Sequence, residues 1–205
     1  MISTGLQKAF IRSYTIIKLS LLFWLFSFAG GGLFGIGPAL LMISDLYHHN
    51  GWRYQLDTVK AATNLFKRYF KAGNVYFYSG AVLLGLLLMN LWLAVQLRGI
   101  GFLILDFVLI FAILLFSCVF NNLIILAGAY QAKPRDLLKL AVMQFFSNFF
   151  NVLKTIGGYG IIVVVTYKFP GLILFGTVPL VLIWTTFISR QWYQQLQTQL
   201  ALGNR

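Results

Sequence analysis

The stretch LSLLFWLFSFAGGGLFGIGPALLMIS, residues 19–44, lies between Lys18 and Asp45 and contains 26 residues without one charge. A charged side chain at the centre of a bilayer costs about 2.5–3.5 kcal/mol on insertion scales. About 20 apolar residues cross a hydrocarbon layer roughly 30 Å thick. The stretch is therefore long enough to enter a membrane and leave the far side. Its middle is unusual: Gly30, Gly31, Gly32, Gly35, Gly37 and Pro38 interrupt a run otherwise made of Leu, Phe, Ile and Ala. Either one kinked helix crosses, or the chain dips in and returns as a hairpin.

Working outward, the same charge gaps recur. Lys71 to Arg98 and Asp106 to Lys133 each enclose 26 uncharged residues, and Lys168 to Arg190 encloses 21. Residues 152–168 form a weaker segment, because Lys154 interrupts it. Lysines near both ends reach the interfaces by extending their stems. The pattern predicts an all-α polytopic membrane protein with about five transmembrane helices, near 19–44, 74–97, 107–130, 152–168 and 169–189. Trp and Tyr cluster at several of these ends, as interfacial belts do.

Composition agrees. Of 205 residues, 60% are hydrophobic and 10% charged, whereas a soluble domain needs roughly a quarter charged to cover its surface. A soluble globular domain is excluded, and so is disorder, which requires low hydrophobicity. Sixteen Lys and Arg face four acids, all Asp, for a net charge of +12. One cysteine, Cys118, allows no intramolecular disulfide. No linker divides the chain, so a single integral membrane domain, residues 1–205, is expected.

Cytoplasmic loops carry the Lys/Arg excess. With five crossings, one side holds five basic residues and the other eleven, which puts the C-terminus in the cytoplasm. If residues 19–44 re-enter instead, the tail joins the first loop and the count becomes fourteen against two, Arg98 and Lys168. Charge favours the hairpin and length favours the kinked crossing; the crossing is the reading carried forward. The basic residues then report orientation, and nucleic acid is not an expected partner.

Two stretches have helical amphipathicity. In 56–71, Val59, Ala62, Thr63, Phe66, Tyr69 and Phe70 gather on one face and Lys60, Asn64, Lys67, Arg68 and Lys71 on the other. Such a helix lies in the headgroup plane, with Lys60, Phe66, Lys67, Arg68, Tyr69, Phe70 and Lys71 as a candidate docking surface for a cytoplasmic partner. In 136–151, the expected apolar stripe is Leu138, Ala141, Val142, Phe145 and Phe149.

Polar groups inside the spans are the candidates for chemistry, because lipid penalises them unless they find partners. Asn90, Asn121 and Asn122 bridge helices or line a path for a neutral solute. Asp106 sits near one end of its span. His48 and His49 are adjacent and make a poor chelate, so no metal is expected. No Walker sequence, nucleophile elbow, CxxC or HExxH occurs. No catalytic residue, cofactor or enzymatic activity is expected.

The first segment resembles the signature of the YesL-like family of bacterial integral membrane proteins: a leucine-rich start, Trp24, the pair Phe26–Ser27, the glycine cluster, then Gly35-Ile36-Gly37-Pro38-Ala39. Residues 64–74, NLFKRYFKAGN, are similar to the family's loop element, with Gly73 inserted before Asn74. The resemblance implies a five-span protein of the bacterial cell membrane, often encoded beside sugar ABC transporters, and hands over no catalytic residues. Together with the residues, it leads to an expected auxiliary role in carbohydrate uptake through contact with ABC transporter permease subunits. The alternative is an independent small-solute transporter or channel.

Overall fold

The computed structural model describes residues 2–53, 55–56, 58–130, 132–147 and 149–193. Among the described residues, seven α-helices follow in order: α1 Ile2–Ala29, α2 Leu33–Asn50, α3 Val59–Ala94, α4 Ile100–Ala129, α5 Pro134–Ser147, α6 Phe149–Lys168 and α7 Val178–Ile188. A π-helical turn, Ile173–Thr177, leads into α7. The fold is all-α and polytopic. Among the described residues, four helices are long and apolar enough to cross a membrane: α1 from Gly5, α3, α4, and α6 from Phe150. α2 is not among them, and it is the helix most enclosed by its neighbours, with ten of its residues buried.

Residues 19–44 are two antiparallel helices rather than one kinked crossing. At one end of the pair the Arg12 guanidinium lies 5.4 Å from the ring centre of Trp52, just past α2. At the other, Gly35 packs directly on the backbone of Ser27. The reason is the glycine triplet. Gly31 N–H donates to Phe28 O at 3.0 Å and Gly32 N–H to Ser27 O at 2.9 Å. That is the paired bonding of a Schellman stop, which needs a left-handed residue after the helix. Gly31 supplies it at φ 85°, and Gly32 at φ 73° starts the return. Pro38 consequently falls inside α2, beyond its first turn.

The hairpin is clamped by α3. Gly37 sits against the carbonyl of Gly73, and Gly73 against the ring of Pro38. Phe26 and Phe66 rings meet at 5.2 Å and Phe34 and Tyr78 at 5.7 Å. α4 returns beside α3, where Gly80 receives the ring of Phe120. It also touches α2 where Gly128 lies under Ser44 and Asp45. Small residues at these points let backbones approach closely, which is how helices gain packing energy inside lipid. The outer half of the α3–α4 pair carries its apolar side chains outward, from Val82 and Leu86 to Phe107 and Phe111.

The two amphipathic segments differ from expectation. Residues 59–71 are not a separate surface helix but the first turns of α3, capped by Thr58, whose hydroxyl accepts from Ala61 N–H at 3.2 Å. α5 folds against α4, and its buried stripe is Leu137, Ala141, Gln144 and Phe145, with Leu138 and Val142 turned outward. The stripe is rotated from the expected one and brings Gln144 to a small polar cavity.

α6 and the last segment form another antiparallel pair. Tyr159 and Thr185 hydroxyls bond at 2.8 Å, Thr166 and Thr177 at 3.0 Å, and the Trp184 indole donates to Lys154 O at 3.2 Å. α1 holds this pair through Ser20 Oγ to Leu174 O, 2.7 Å, and Trp24 Nε1 to Ile173 O, 3.0 Å. Both bonds use carbonyls at the π-helical turn, where the regular ladder is altered and oxygens need other donors.

Candidate functional site

Three polar places arise from this packing. The first is at the end of α2. Asp45 is 7% exposed, and a buried carboxylate persists only with donors around it. It has two: Tyr69 Oη donates to Oδ2 at 2.7 Å, and His49 Nδ1 lies 2.9 Å from Oδ1. Asp45 thus ties α2 to α3. His49, one turn on, reaches back because residues four apart share a helix face. His48 points elsewhere, toward the ring of Tyr130 at 6.0 Å. Burial, then the neighbouring His49, lowers its pKa, with Asp45 opposing. The histidines belong to the last turn of α2 and not to a loop. Among the described residues, no group of three His, Cys, Asp or Glu is placed to hold a metal.

The second place is a cavity of about 20 Å³ lined by Cys118, Asn122, Gln144, Ser147, Asn151, Thr155, Ser189 and Trp192. That is room for about one water molecule. Asn122 Oδ1 and Gln144 Oε1 are both buried without a hydrogen-bond partner. Asn122 is on α4 and Gln144 on α5, and both residues line this cavity. The third place is a groove between the ends of α1 and α2 and one face of α7, discussed further below.

The residues singled out by sequence divide accordingly. Asn121 lines a different cavity, with Leu40, Phe120 and Thr177. Asn90 is exposed and donates to Leu86 O of its own helix at 2.8 Å. The three asparagines therefore do not converge on one path. Of the proposed docking set, Phe66 is buried in the core and Tyr69 is engaged with Asp45, whereas Lys60, Lys67, Arg68, Phe70 and Lys71 remain exposed. Gly30, Gly35 and Gly37 are spent on contacts within the chain, and Gly31 and Gly32 on the turn. Sequence reading missed Asp45 as the buried anchor. Its signal was its position, as the one acid immediately following the glycine-broken apolar run.

No curated protein and no solved structure matches the chain. Residues 16–91 match a family model described as protein of unknown function, DUF624. These residues run from the middle of α1 through the glycine turn and α2 to near the end of α3. The hairpin, its α3 clamp and the Asp45–Tyr69 tie thus lie in a segment that carries the pattern of DUF624, the family of the YesL-like proteins.

Proposed function

We propose that the chain is a non-enzymatic membrane partner protein, an auxiliary component of carbohydrate-uptake ABC transport that docks on permease subunits. The observation that carries the partner role is the α3–α4 pair. Its outer half presents a long apolar surface, from Val82 to Leu93 on α3 and from Ile100 to Phe107 on α4, whose large side chains stay exposed among the described residues. Helices in a membrane associate through such faces by van der Waals packing. At the opposite end, Lys60, Lys67, Arg68 and Lys71 line exposed turns of the same α3, so one helix offers both a membrane face and a basic cytoplasmic face. The carbohydrate assignment rests on the YesL-like resemblance.

In this reading the hairpin sets the orientation. Both ends of α1–α2 lie together, so Lys8, Arg12 and Lys18 share a side with the first loop. The fourteen-to-two partition of basic residues then supports a topology with both termini in the cytoplasm of a bacterial cell. The scatter of Asn90, Asn121 and Asn122 weighs against the solute-path alternative. The test is cross-linking from a photoreactive residue at Leu86 or Phe107 in membranes, followed by identification of the adducts. Adducts to sugar-permease subunits support the reading; adducts to lipid alone overturn it.

A further inference from the structure

Arg12, Arg190, Tyr47, Trp52 and one face of α7 enclose a groove of about 550 Å³. Leu180, Ile183, Trp184 and Phe187 have helical spacing on α7, so these side chains share one face, and Arg190 follows two residues past the end of the helix. Ile162 of α6 adds to the apolar wall. The groove is therefore graded, with two guanidinium groups and aromatic rims at one end and an aliphatic wall along the rest.

We propose that this groove binds an anionic phospholipid, its phosphate held between Arg12 and Arg190 and an acyl chain laid along Leu180, Ile183 and Ile162. Three observations support that occupant. No described carboxylate lines the groove, and neither arginine has an ion pair among the described residues. Two cations converging without an internal counter-charge call for an external one, and arginine forks match phosphate oxygens bidentately. Both guanidiniums also act on the Tyr47 hydroxyl, where they oppose the rise that burial gives its pKa. Both guanidiniums therefore lie on the Tyr47 side of the groove that they line.

The shape selects a lipid over a free phosphate ester. From Leu180 to Phe187 is seven residues, about 10 Å at helical rise, far longer than a phosphate group. Basic pockets between transmembrane helices on the cytoplasmic side are a recurring form of headgroup recognition. Trp52, just past the end of α2, has the amphipathic character that favours the membrane interface. Arg12 is already oriented by Trp52, over whose ring it lies, so little ordering remains on binding.

The test is native mass spectrometry of the delipidated full chain in mild detergent. The probe is an equimolar mixture of phosphatidylglycerol and phosphatidylcholine with identical acyl chains. The first adduct is expected to be phosphatidylglycerol. Each arginine-to-glutamine change, R12Q or R190Q, should reduce that preference about fivefold and the pair about 25-fold, whereas R12K/R190K keeps most of it. Leu180→Trp, which fills the wall and leaves both charges, should lose the first adduct of either lipid. A preference unchanged in R12Q/R190Q overturns the proposal. So does displacement of the lipid by glycerol phosphate at equal concentration, which would make the occupant a soluble ester.

Discussion

Placing a methyl group at Gly73 tests the central clamp of the fold. A Cβ there would lie 2.5 Å from Pro38 N and 2.6 Å from its Cα, whereas ordinary Cβ contacts begin near 3.4 Å. The obstacle is backbone inside a helix, which no rotamer change relieves. α2 and α3 must part by about 1 Å, and a gap of that size forfeits a quarter to a half of the dispersion attraction across it. Overpacking of this kind costs about 1–3 kcal/mol. Gly85 on the same helix has open space around its Cβ position, so Gly85→Ala should gain about 1 kcal/mol of helix propensity instead. The chain supplies its own probe: Cys118 is its only cysteine and is 3% exposed. A thiol-reactive fluorophore in detergent therefore reports unfolding. At about 2–4 °C per kcal/mol for a chain of this size, Gly73→Ala should melt about 2–12 °C lower and Gly85→Ala about 2–4 °C higher. If Gly73→Ala melts with or above Gly85→Ala, the close α2–α3 contact is refuted.

Other outcomes follow from the same geometry. Tyr69→Phe removes one of the two donors to Asp45 and should cost about 1–3 kcal/mol, read as a lower melting temperature; an unchanged melt would mean the carboxylate does not depend on Tyr69. Cysteines introduced at Gln7 and Arg53, in a Cys118→Ser background, should label with an impermeant maleimide from one and the same side of the membrane, and labelling from opposite sides would restore the single crossing. For His48, burial holds the native pKa below the unfolded value near 6.5. The unfolded chain then binds more protons, so this contribution is complete above pH 6.5 and is lost as pH falls from there toward the native pKa. His48→Gln should flatten the loss of melting temperature between pH 7.5 and 5.5, and an equal slope in both proteins would remove His48 as its source.

Charge spacing was enough to read the class and most of the helix inventory, because burying a charge in lipid is the largest single penalty available to this chain. It misled at residues 19–44 for a physical reason. A gap in charge measures only how much chain is apolar, not whether that chain is one helix or two. The deciding information lay in Gly31 and Gly32, whose positive φ angles close a Schellman stop, and three consecutive glycines are compatible with both a kink and a turn. The fourteen-to-two partition of basic residues was the better guide, because it depends on where chain ends lie and not on local conformation.

The polar sites were less legible, and the asparagines show why. Asn121 and Asn122 are neighbours in sequence, yet they line different cavities, because adjacent helical residues point about 100° apart. Asn90 satisfies itself on its own helix. Their grouping in sequence thus carried no information about a shared path. The same geometry explains why Asp45 and the two arginines were passed over. Asp45 gains its role only when α3 brings Tyr69 to it across 24 residues. Arg12 and Arg190 are 178 positions apart and line one groove only because α1, α2 and α7 pack together. In this chain the polar ties that build the sites, such as Tyr69 to Asp45 and Tyr159 to Thr185, join different helices, so a site appears only when the hairpins are assembled, whereas the lipid-facing pattern is written locally in every helix.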